Sequence, residues 1–189
     1  EITLETLSAR RKVIHEIICS YEGRVFNEAG DSIVSEFPTN EAAAKSALDI
    51  QTEMVRLNMG SVAERKMLFR AGINYGEVMD SDGNVFGDTV NIAARLEAAS
   101  TPEGVYMSET AHKTLNPEMS EKFSYLGALS LKNIASDVEV YMWTPGYQTG
   151  RYGSSDTTKV NEAEKIAGSL AVLELKNLSS DEEQKYFCE

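Results

Sequence analysis

Strand-like runs alternate with amphipathic helical segments through the first 144 residues, and this alternation limits the fold more than any other feature. Apolar residues recur at helical spacing in residues 2–20 and again in residues 41–58. Residues 24–37 instead predict two strands joined by a tight turn at Ala29–Gly30–Asp31, and residues 66–78 predict a strand. Because the order of strands and helices lacks strict βαβ regularity, it predicts an α+β or α/β fold with a mixed sheet.

Shorter elements are expected between and after these segments. Residues 79–84 are typical of a turn. Residues 104–108, 130–134 and 138–144 have the pattern of short strands, and residues 109–115 that of a short helix. Together with the longer segments they complete one predicted domain.

The composition changes after Pro145. Residues 145–167 are polar and rich in glycine, serine and threonine, which predicts a linker. Residues 168–189 resume with an apolar, strand-like run and predict the start of a second domain. The first domain is therefore expected to cover residues 1–144.

A helix predicted from Asp88 to about Ala99 carries two polar side chains one turn apart, Asn91 and Arg95. We expect the helix to pack through Ile92, Leu96 and Ala99, and Asp88 or Thr89 to cap its start. An amide beside a guanidinium suits a ligand that carries a sugar hydroxyl next to a phosphate, since guanidinium offers phosphate two donors. The alternative is a surface asparagine and an arginine paired with Asp88 or Glu97.

Other single residues allow two interpretations each. Asp31, at the tip of the predicted hairpin, suits a hard cation but is also an ordinary turn residue. Arg70, in the middle of a strand, marks either a site or a salt bridge at the rim of the sheet. Lys132 is simply a lysine on a predicted edge strand, and His15 and His112 have no plausible partners, so both histidines are interpreted as structural.

Charge and cysteine content exclude several classes of function. The chain has 30 acidic and 18 basic residues, a net charge of −12, which argues against binding nucleic acid or anionic lipid. A polyanionic small substrate would need local basic groups and metal ions. The two cysteines, Cys19 and Cys188, form neither a disulfide framework nor a zinc motif, which favours a reducing cytoplasmic setting. No apolar run approaches the roughly 18 residues of a membrane span, and no signal peptide is visible.

Five stretches, taken in order, resemble the class III nucleotide cyclase catalytic domain, the family of adenylate and guanylate cyclases. The resemblance covers roughly residues 5–143 and implies a ferredoxin-like mixed sheet flanked by helices. The tail from Ser169 is similar to the start of the TolB-like domains that follow cyclase domains in some bacterial proteins. The five stretches are AGDSIVSEF, FRAGINYGEV, VFGDTVNIAARLE, GVYMSETAHKTL and LGALSLKNI followed by VEVYMW.

The resemblance implies a signalling enzyme that converts a nucleoside triphosphate, expected to be ATP, to a 3′,5′-cyclic nucleotide and pyrophosphate. It further implies two Mg²⁺ or Mn²⁺ ions and a head-to-tail homodimer with its sites at the interface. The catalytic pair would be Asn91, which contacts the ribose, and Arg95, which stabilises the reacting phosphate. The remaining implied roles are triphosphate binding by Arg70 and Lys132, metal binding by Asp31, and base reading at Asn27 and Asn84.

Three departures from the family pattern bear on activity. The family's first strand carries a second metal-binding aspartate and should lie just before the first helix, so this chain is expected to lack that ligand and a central strand. Asn27 stands where adenylate cyclases usually have lysine, and Asn84 where they usually have aspartate, so the two amides impose no clear choice between purines. One alternative is a non-catalytic cyclase-like module for nucleotide sensing or dimerisation. Another, an unrelated ferredoxin-like binding domain, requires all five stretches to match by coincidence.

Overall fold

A seven-stranded mixed sheet organises the computed structural model, which describes residues 2–61, 66–77, 79–81, 84–146 and 169–177. Within these ranges the helices are α1 (Ile2–Ser20), α2 (Asn40–Met59), α3 (Asp88–Ala99), α4 (Glu109–His112) and α5 (Pro117–Ser120). The strands are β1 (Arg24–Ala29), β2 (Ser32–Phe37), β3 (Phe69–Glu77), β4 (Met79–Ser81), β5 (Asn84–Phe86), β6 (Val105–Ser108), β7 (Ser124–Leu129), β8 (Val138–Trp143) and β9 (Ser169–Asn177). The seven-stranded sheet has the order β1-β2-β9-β3-β6-β8-β7, and β4 and β5 form a separate hairpin. Its β3–β6 pair is parallel and the others are antiparallel, which confirms the predicted mixed sheet.

The two long helices cover one face of the sheet, and their apolar stripes form the main core. Thr39 caps α2 by accepting a hydrogen bond from the Ala42 backbone nitrogen at 3.1 Å. Every second side chain of β3 points into this layer, as its alternation predicted. The residues almost completely buried there include Ile14, Ile18, Ala43, Ala47, Ile50, Met54, Phe69, Ala71 and Ile73.

Helix α3 covers the opposite face, where it packs on β3, β6 and β9. A second, smaller core lies on this side, with Leu96 and Tyr106 among its buried members. The first strands also contribute, because Phe26 and Val34 pack against Val90 and Ala93 of α3. Residues of three different parts of the chain thus fix the position of this helix.

The centre of the sheet differs from the sequence expectation. A sheet lacking a central strand was predicted, whereas β9 lies between β2 and β3 and is antiparallel to both. Its Glu174 pairs with Val34 on one side and Gly72 on the other. The assignment of residues 168–189 to a second domain remains a prediction, and residues 147–168 and 178–189 lie outside the described part of the chain.

Two short predicted elements are wrong in detail. The strand expected over residues 130–134 is absent, because β7 ends at Leu129 and Lys132 and Asn133 form a turn. Asn133 has a left-handed φ of 63°, and the Ile134 nitrogen donates to the Leu131 carbonyl oxygen at 3.1 Å, which closes that turn. Of the residues expected to form a turn, 79–81 and 84 belong to the paired strands β4 and β5, and residues 82–83 lie outside the described part of the chain.

Sequence reasoning did not anticipate α5. The signal was present, because Asn116 caps the helix and Pro117 occupies its first turn. Among the described helices, none is both long enough and apolar enough to cross a membrane.

Candidate active site

Backbone-to-backbone packing holds α3 against β3. A Cβ atom added at Gly72 would lie 2.2 Å from the carbonyl oxygen of Ala93 and 2.4 Å from the backbone nitrogen of Glu97. One added at Gly76 would lie 2.6 Å from the Thr89 hydroxyl. Only glycine allows an approach this close, so the two glycines of β3 set the height of the helix above the sheet.

The start of α3 is held by hydrogen bonds to β3 and not by a side-chain cap. Its N-cap residue is Gly87, so the predicted capping by Asp88 or Thr89 is wrong. The Thr89 hydroxyl instead donates to the Glu77 carbonyl oxygen at 2.6 Å. The buried Asn74 amide donates to the Thr89 carbonyl oxygen at 3.1 Å. These bonds use the polar groups of Thr89 to join the helix to the sheet.

Asn74 also connects α3 to the next helix along the chain. Its Oδ1 atom accepts from the Ser108 hydroxyl at 2.6 Å and from the Thr110 hydroxyl at 3.2 Å. Ser108 is the N-cap of α4, where its hydroxyl oxygen accepts from the Ala111 backbone nitrogen. The sequence analysis did not single out Asn74, although a polar residue among the apolar ones of a central strand was a usable signal.

Asn91 and Arg95 lie on the face of α3 that points away from the sheet. The buried residues of the helix are Thr89, Ala93, Leu96 and Glu97, and at 100° per residue the face opposite to them carries Asn91 and Arg95. Asn91 is exposed and Arg95 half-buried. The expected packing residues are partly right, since Leu96 is buried and Ile92 partly buried while Ala99 is exposed.

Neither of these two side chains is hydrogen-bonded or ion-paired to any residue in the described ranges. The alternative interpretation paired Arg95 with Asp88 or Glu97, and no such ion pair joins them in this structure. Glu97 lies on the sheet side of the helix, where it binds a different arginine. The amide and the guanidinium are thus both available to a ligand or to a second chain.

Arg70 forms a partly buried ion pair with Glu97. Its Nε donates to Glu97 Oε1 at 2.8 Å, and its Nη1 donates to the Ala98 carbonyl oxygen at 3.2 Å. The Arg70 side chain is 19% exposed and that of Glu97 only 4%. The salt bridge left open as an alternative for Arg70 is therefore present, while triphosphate binding by Arg70 remains a prediction.

Asp31 follows the tip of the β1–β2 hairpin, where Gly30 adopts a left-handed φ of 58°. The Arg11 guanidinium of α1 donates to the Gly30 carbonyl oxygen beside it. No group of three or more histidine, cysteine, aspartate or glutamate residues that could hold a metal ion is found in the described residues. Asp31 is therefore a single candidate ligand among the described residues, and the two metal ions remain a prediction.

The remaining candidates lie on three different parts of the fold. Asn27 is exposed on β1, and Asn84 begins β5. The two strands contact each other, so the structure brings the predicted base-reading positions to the same region. Lys132 is exposed in the turn between β7 and β8, at the opposite edge of the sheet from β1. One chain does not bring Lys132 next to Asp31.

Both histidines have partners that the sequence did not predict. His15 Nε2 lies 2.7 Å from Glu28 Oε1 on the surface. His112 stacks on Tyr141 with ring centroids 3.6 Å apart and also lies 3.0 Å from the Ser120 hydroxyl. Burial lowers the pKa of His112 below its ordinary value.

Comparison with known proteins gives consistent relatives. The family model described as the adenylate and guanylate cyclase catalytic domain matches residues 12–144. Putative adenylate cyclase 3 of Rhizobium meliloti is 31% identical over 179 residues, which are 95% of this chain and 30% of the relative. An adenylate cyclase of Glutamicibacter nicotianae is 28% identical over 100 residues, which are 53% of this chain and 23% of the relative. The chain thus spans less than a third of the length of these relatives.

Solved structures show the same fold. An adenylate/guanylate cyclase/hydrolase from Silicibacter pomeroyi superposes with a TM-score of 0.67 and 36% identity, over 73% of this chain and 82% of the other. Adenylate cyclases of Trypanosoma brucei in their monomeric state give a TM-score of 0.63 at 17% identity, over 79% and 84% of the two chains, which supports the fold alone. With the family match covering most of its length, the chain belongs to the adenylate and guanylate cyclase catalytic domain family.

Proposed function

We propose that this domain converts a nucleoside triphosphate, ATP in the first instance, to a 3′,5′-cyclic nucleotide and pyrophosphate for signal transduction. The observation that carries the proposal is the arrangement on α3. The sheet side of the helix is held to β3, while Asn91 and Arg95 extend one turn apart from the opposite side with no partner among the described residues. A rigid helix with an unengaged amide and guanidinium is suited to orient a sugar and a phosphate.

In the proposed reaction the 3′-hydroxyl attacks the α-phosphate, and pyrophosphate leaves. The Asn91 amide would hold the ribose so that the attacking hydroxyl is in line with the leaving oxygen. The Arg95 guanidinium would stabilise the negative charge that builds on the α-phosphate oxygens. Arg70 and Lys132 would bind the other phosphates, and their charge would offset the acidic surface of a chain with net charge −12.

A head-to-tail homodimer is part of the proposal. Its support is the distribution of candidates, since Lys132 lies near one edge of the sheet and Asp31 near the other. The exposed position of Asn91 also suits a site completed by a second copy. In such a dimer, Asp31 and Arg70 of one chain would face Asn91, Arg95 and Lys132 of the partner.

Two Mg²⁺ or Mn²⁺ ions remain an expectation from the family resemblance. Asp31 is the residue that would contribute one ligand to them. Asn27 and Asn84, which stand in place of the usual base-reading residues, favour a second candidate function, a cyclase-like module that binds a nucleotide or dimerises without turnover.

Product analysis separates the two candidates. The full-length protein is incubated with each of the four nucleoside triphosphates and Mg²⁺ or Mn²⁺, and cyclic nucleotide and pyrophosphate are quantified together. Equal amounts of the two products, lost in Arg95→Ala, support the cyclase. Nucleotide binding without either product supports the sensing module.

A further inference from the structure

We infer that Glu97 is a positioning residue that orients the guanidinium of Arg70 for the polyphosphate of the substrate. The inference rests on the proposed function and extends it to a residue that the sequence analysis considered only as a neighbour of Arg95. It starts from the geometry of the Arg70–Glu97 pair, in which a carboxylate of the α3 helix is directed at the sheet and not at solvent.

The guanidinium of Arg70 has two acceptors on α3. Nε binds Glu97 Oε1 at 2.8 Å, and one Nη1 hydrogen is directed at the Ala98 carbonyl oxygen. A guanidinium has five N–H donors in a fixed plane. The donors left over have no partner among the residues that the structure describes. Two acceptors thus hold the plane, and the other donors remain for an anion.

Burial restricts the geometry of the Arg70–Glu97 ion pair. The Glu97 side chain is 4% exposed, and that of Arg70 is 19% exposed, so water competes little for the bond between them. The backbone of Glu97 is packed closely as well, because its nitrogen would lie only 2.4 Å from a Cβ atom added at Gly72. The carboxylate is therefore attached to a part of α3 that cannot shift relative to β3.

The Arg70–Glu97 pair would lower the entropy that is lost when Arg70 binds the substrate. A free arginine loses rotamer freedom when it binds a phosphate, and an arginine already ordered by its own chain loses less. Glu97 would thus improve substrate binding without touching the substrate. In the proposed dimer it would also connect the α3 helix that serves one site to the arginine that holds the polyphosphate of the other site.

A double-mutant cycle on KM tests whether Glu97 acts through Arg70. Glu97→Gln keeps the size of the side chain but removes its charge, and we expect it to raise KM for the nucleotide on the order of tenfold, with a smaller effect on kcat. In the Arg70→Ala background the same change should raise KM no further. Glu109→Gln is the matched control, since it breaks the exposed Glu109–Lys113 ion pair of α4 at 2.8 Å.

Calorimetric titration with tripolyphosphate gives a readout that does not depend on turnover. We expect Glu97→Gln and Arg70→Lys to weaken binding by a similar factor, because lysine carries the charge but lacks the planar set of donors. Arg70→Lys leaves the buried carboxylate paired with a cation and keeps the test open if Glu97→Gln does not fold. Wild-type KM and tripolyphosphate affinity in Arg70→Lys would overturn the inference, as would a Glu97→Gln effect that persists in full without Arg70.

Measured on the full-length protein, the outcomes also separate this inference from the proposed function. A wild-type chain that forms no cyclic nucleotide, but binds tripolyphosphate in a Glu97-dependent way, refutes the cyclase reaction and supports the positioning role. A chain that turns over with the same KM in Glu97→Gln as in wild type refutes the positioning role alone. A chain that neither turns over nor binds tripolyphosphate refutes both.

Discussion

Gly72 of β3 and Ala93 of α3 approach each other so closely that a methyl group at Gly72 would lie 2.2 Å from the Ala93 carbonyl oxygen. Because the obstacle is backbone and not the end of a flexible side chain, Gly72→Ala must move the helix. We expect a loss of about 1–3 kcal/mol in the free energy of unfolding. Urea unfolding measures it, with Gly60→Ala as the control, since no atom lies within 4 Å of a Cβ there. Equal stability of the two variants would contradict the packing described.

Asn74 is the second point at which β3 holds α3. Asn74→Ala removes three hydrogen bonds and leaves the buried Ser108 hydroxyl with the Thr110 hydroxyl as its remaining side-chain partner. The expected loss is about 2 kcal/mol or more, which thermal unfolding detects. Asn27→Ala, at an exposed position of β1, should unfold close to the wild-type temperature. A similar midpoint for all three proteins would show that the buried bonds contribute no net stability.

Arg95→Ala should affect chemistry and not folding. Its side chain has no polar partner in the described part of the chain, so we expect the unfolding temperature to change little. If the guanidinium stabilises charge at the α-phosphate, kcat should fall on the order of 10²–10³ with a small change in KM. Asn91→Ala should also slow turnover by misplacing the ribose. The control is Lys113→Ala at the end of α4, which breaks an exposed ion pair with Glu109. An unchanged kcat in Arg95→Ala would remove the arginine from the proposed site.

Asn27 and Asn84 are expected to govern the choice of purine. Their strands contact each other, and each amide can both donate and accept a hydrogen bond. Asn27→Lys combined with Asn84→Asp should raise the ratio of kcat/KM for ATP over GTP. Steady-state kinetics with both nucleotides measure that ratio, with the two single variants as controls for the change of charge at each position. A ratio that does not change would place base recognition elsewhere.

The lowered pKa of His112 predicts that the folded protein loses stability in acid. Burial is the main cause that lowers its pKa from the ordinary value of 6.5. The unfolded chain then binds the proton more readily, so the contribution of this group is full above pH 6.5 and falls as the pH drops towards the folded pKa. His112→Phe keeps a ring to stack on Tyr141 but does not titrate. Between pH 7.5 and about 5.5 its unfolding temperature should fall less than that of the wild type, and an equal fall would assign the acid sensitivity to other groups.

Local pattern predicted every described helix except α5, and most of the described strands, because burial of one face imposes a period that a single segment already displays. Ile14 and Ile18 of α1, and Phe69, Ala71 and Ile73 of β3, are buried as their spacing indicated. The same reasoning located Asn91 and Arg95 on one side of α3. Family resemblance, and not periodicity, supplied the chemical roles proposed for them.

Partners distant in sequence were not predictable in this way. No local pattern indicated that Glu97 pairs with Arg70, since the pair joins a strand to the end of a helix 27 residues later. The apolar run at Ser169–Asn177 indicated a strand but contained nothing that specifies its neighbours. Strand pairing depends on which edges the rest of the fold leaves open, and that is a property of the whole sheet.

The central position of β9 has a consequence for the order of folding. Ser32 pairs with Lys176, and Phe69 pairs with Asn177. The pairs that β9 makes in the middle of the sheet therefore join residues that are distant in sequence. Such contacts slow folding because the chain loses the conformational entropy of a long loop before the strand pairs form and stabilise it. During synthesis, β2 and β3 leave the ribosome well before β9, and each presents an open edge that can pair with another nascent chain.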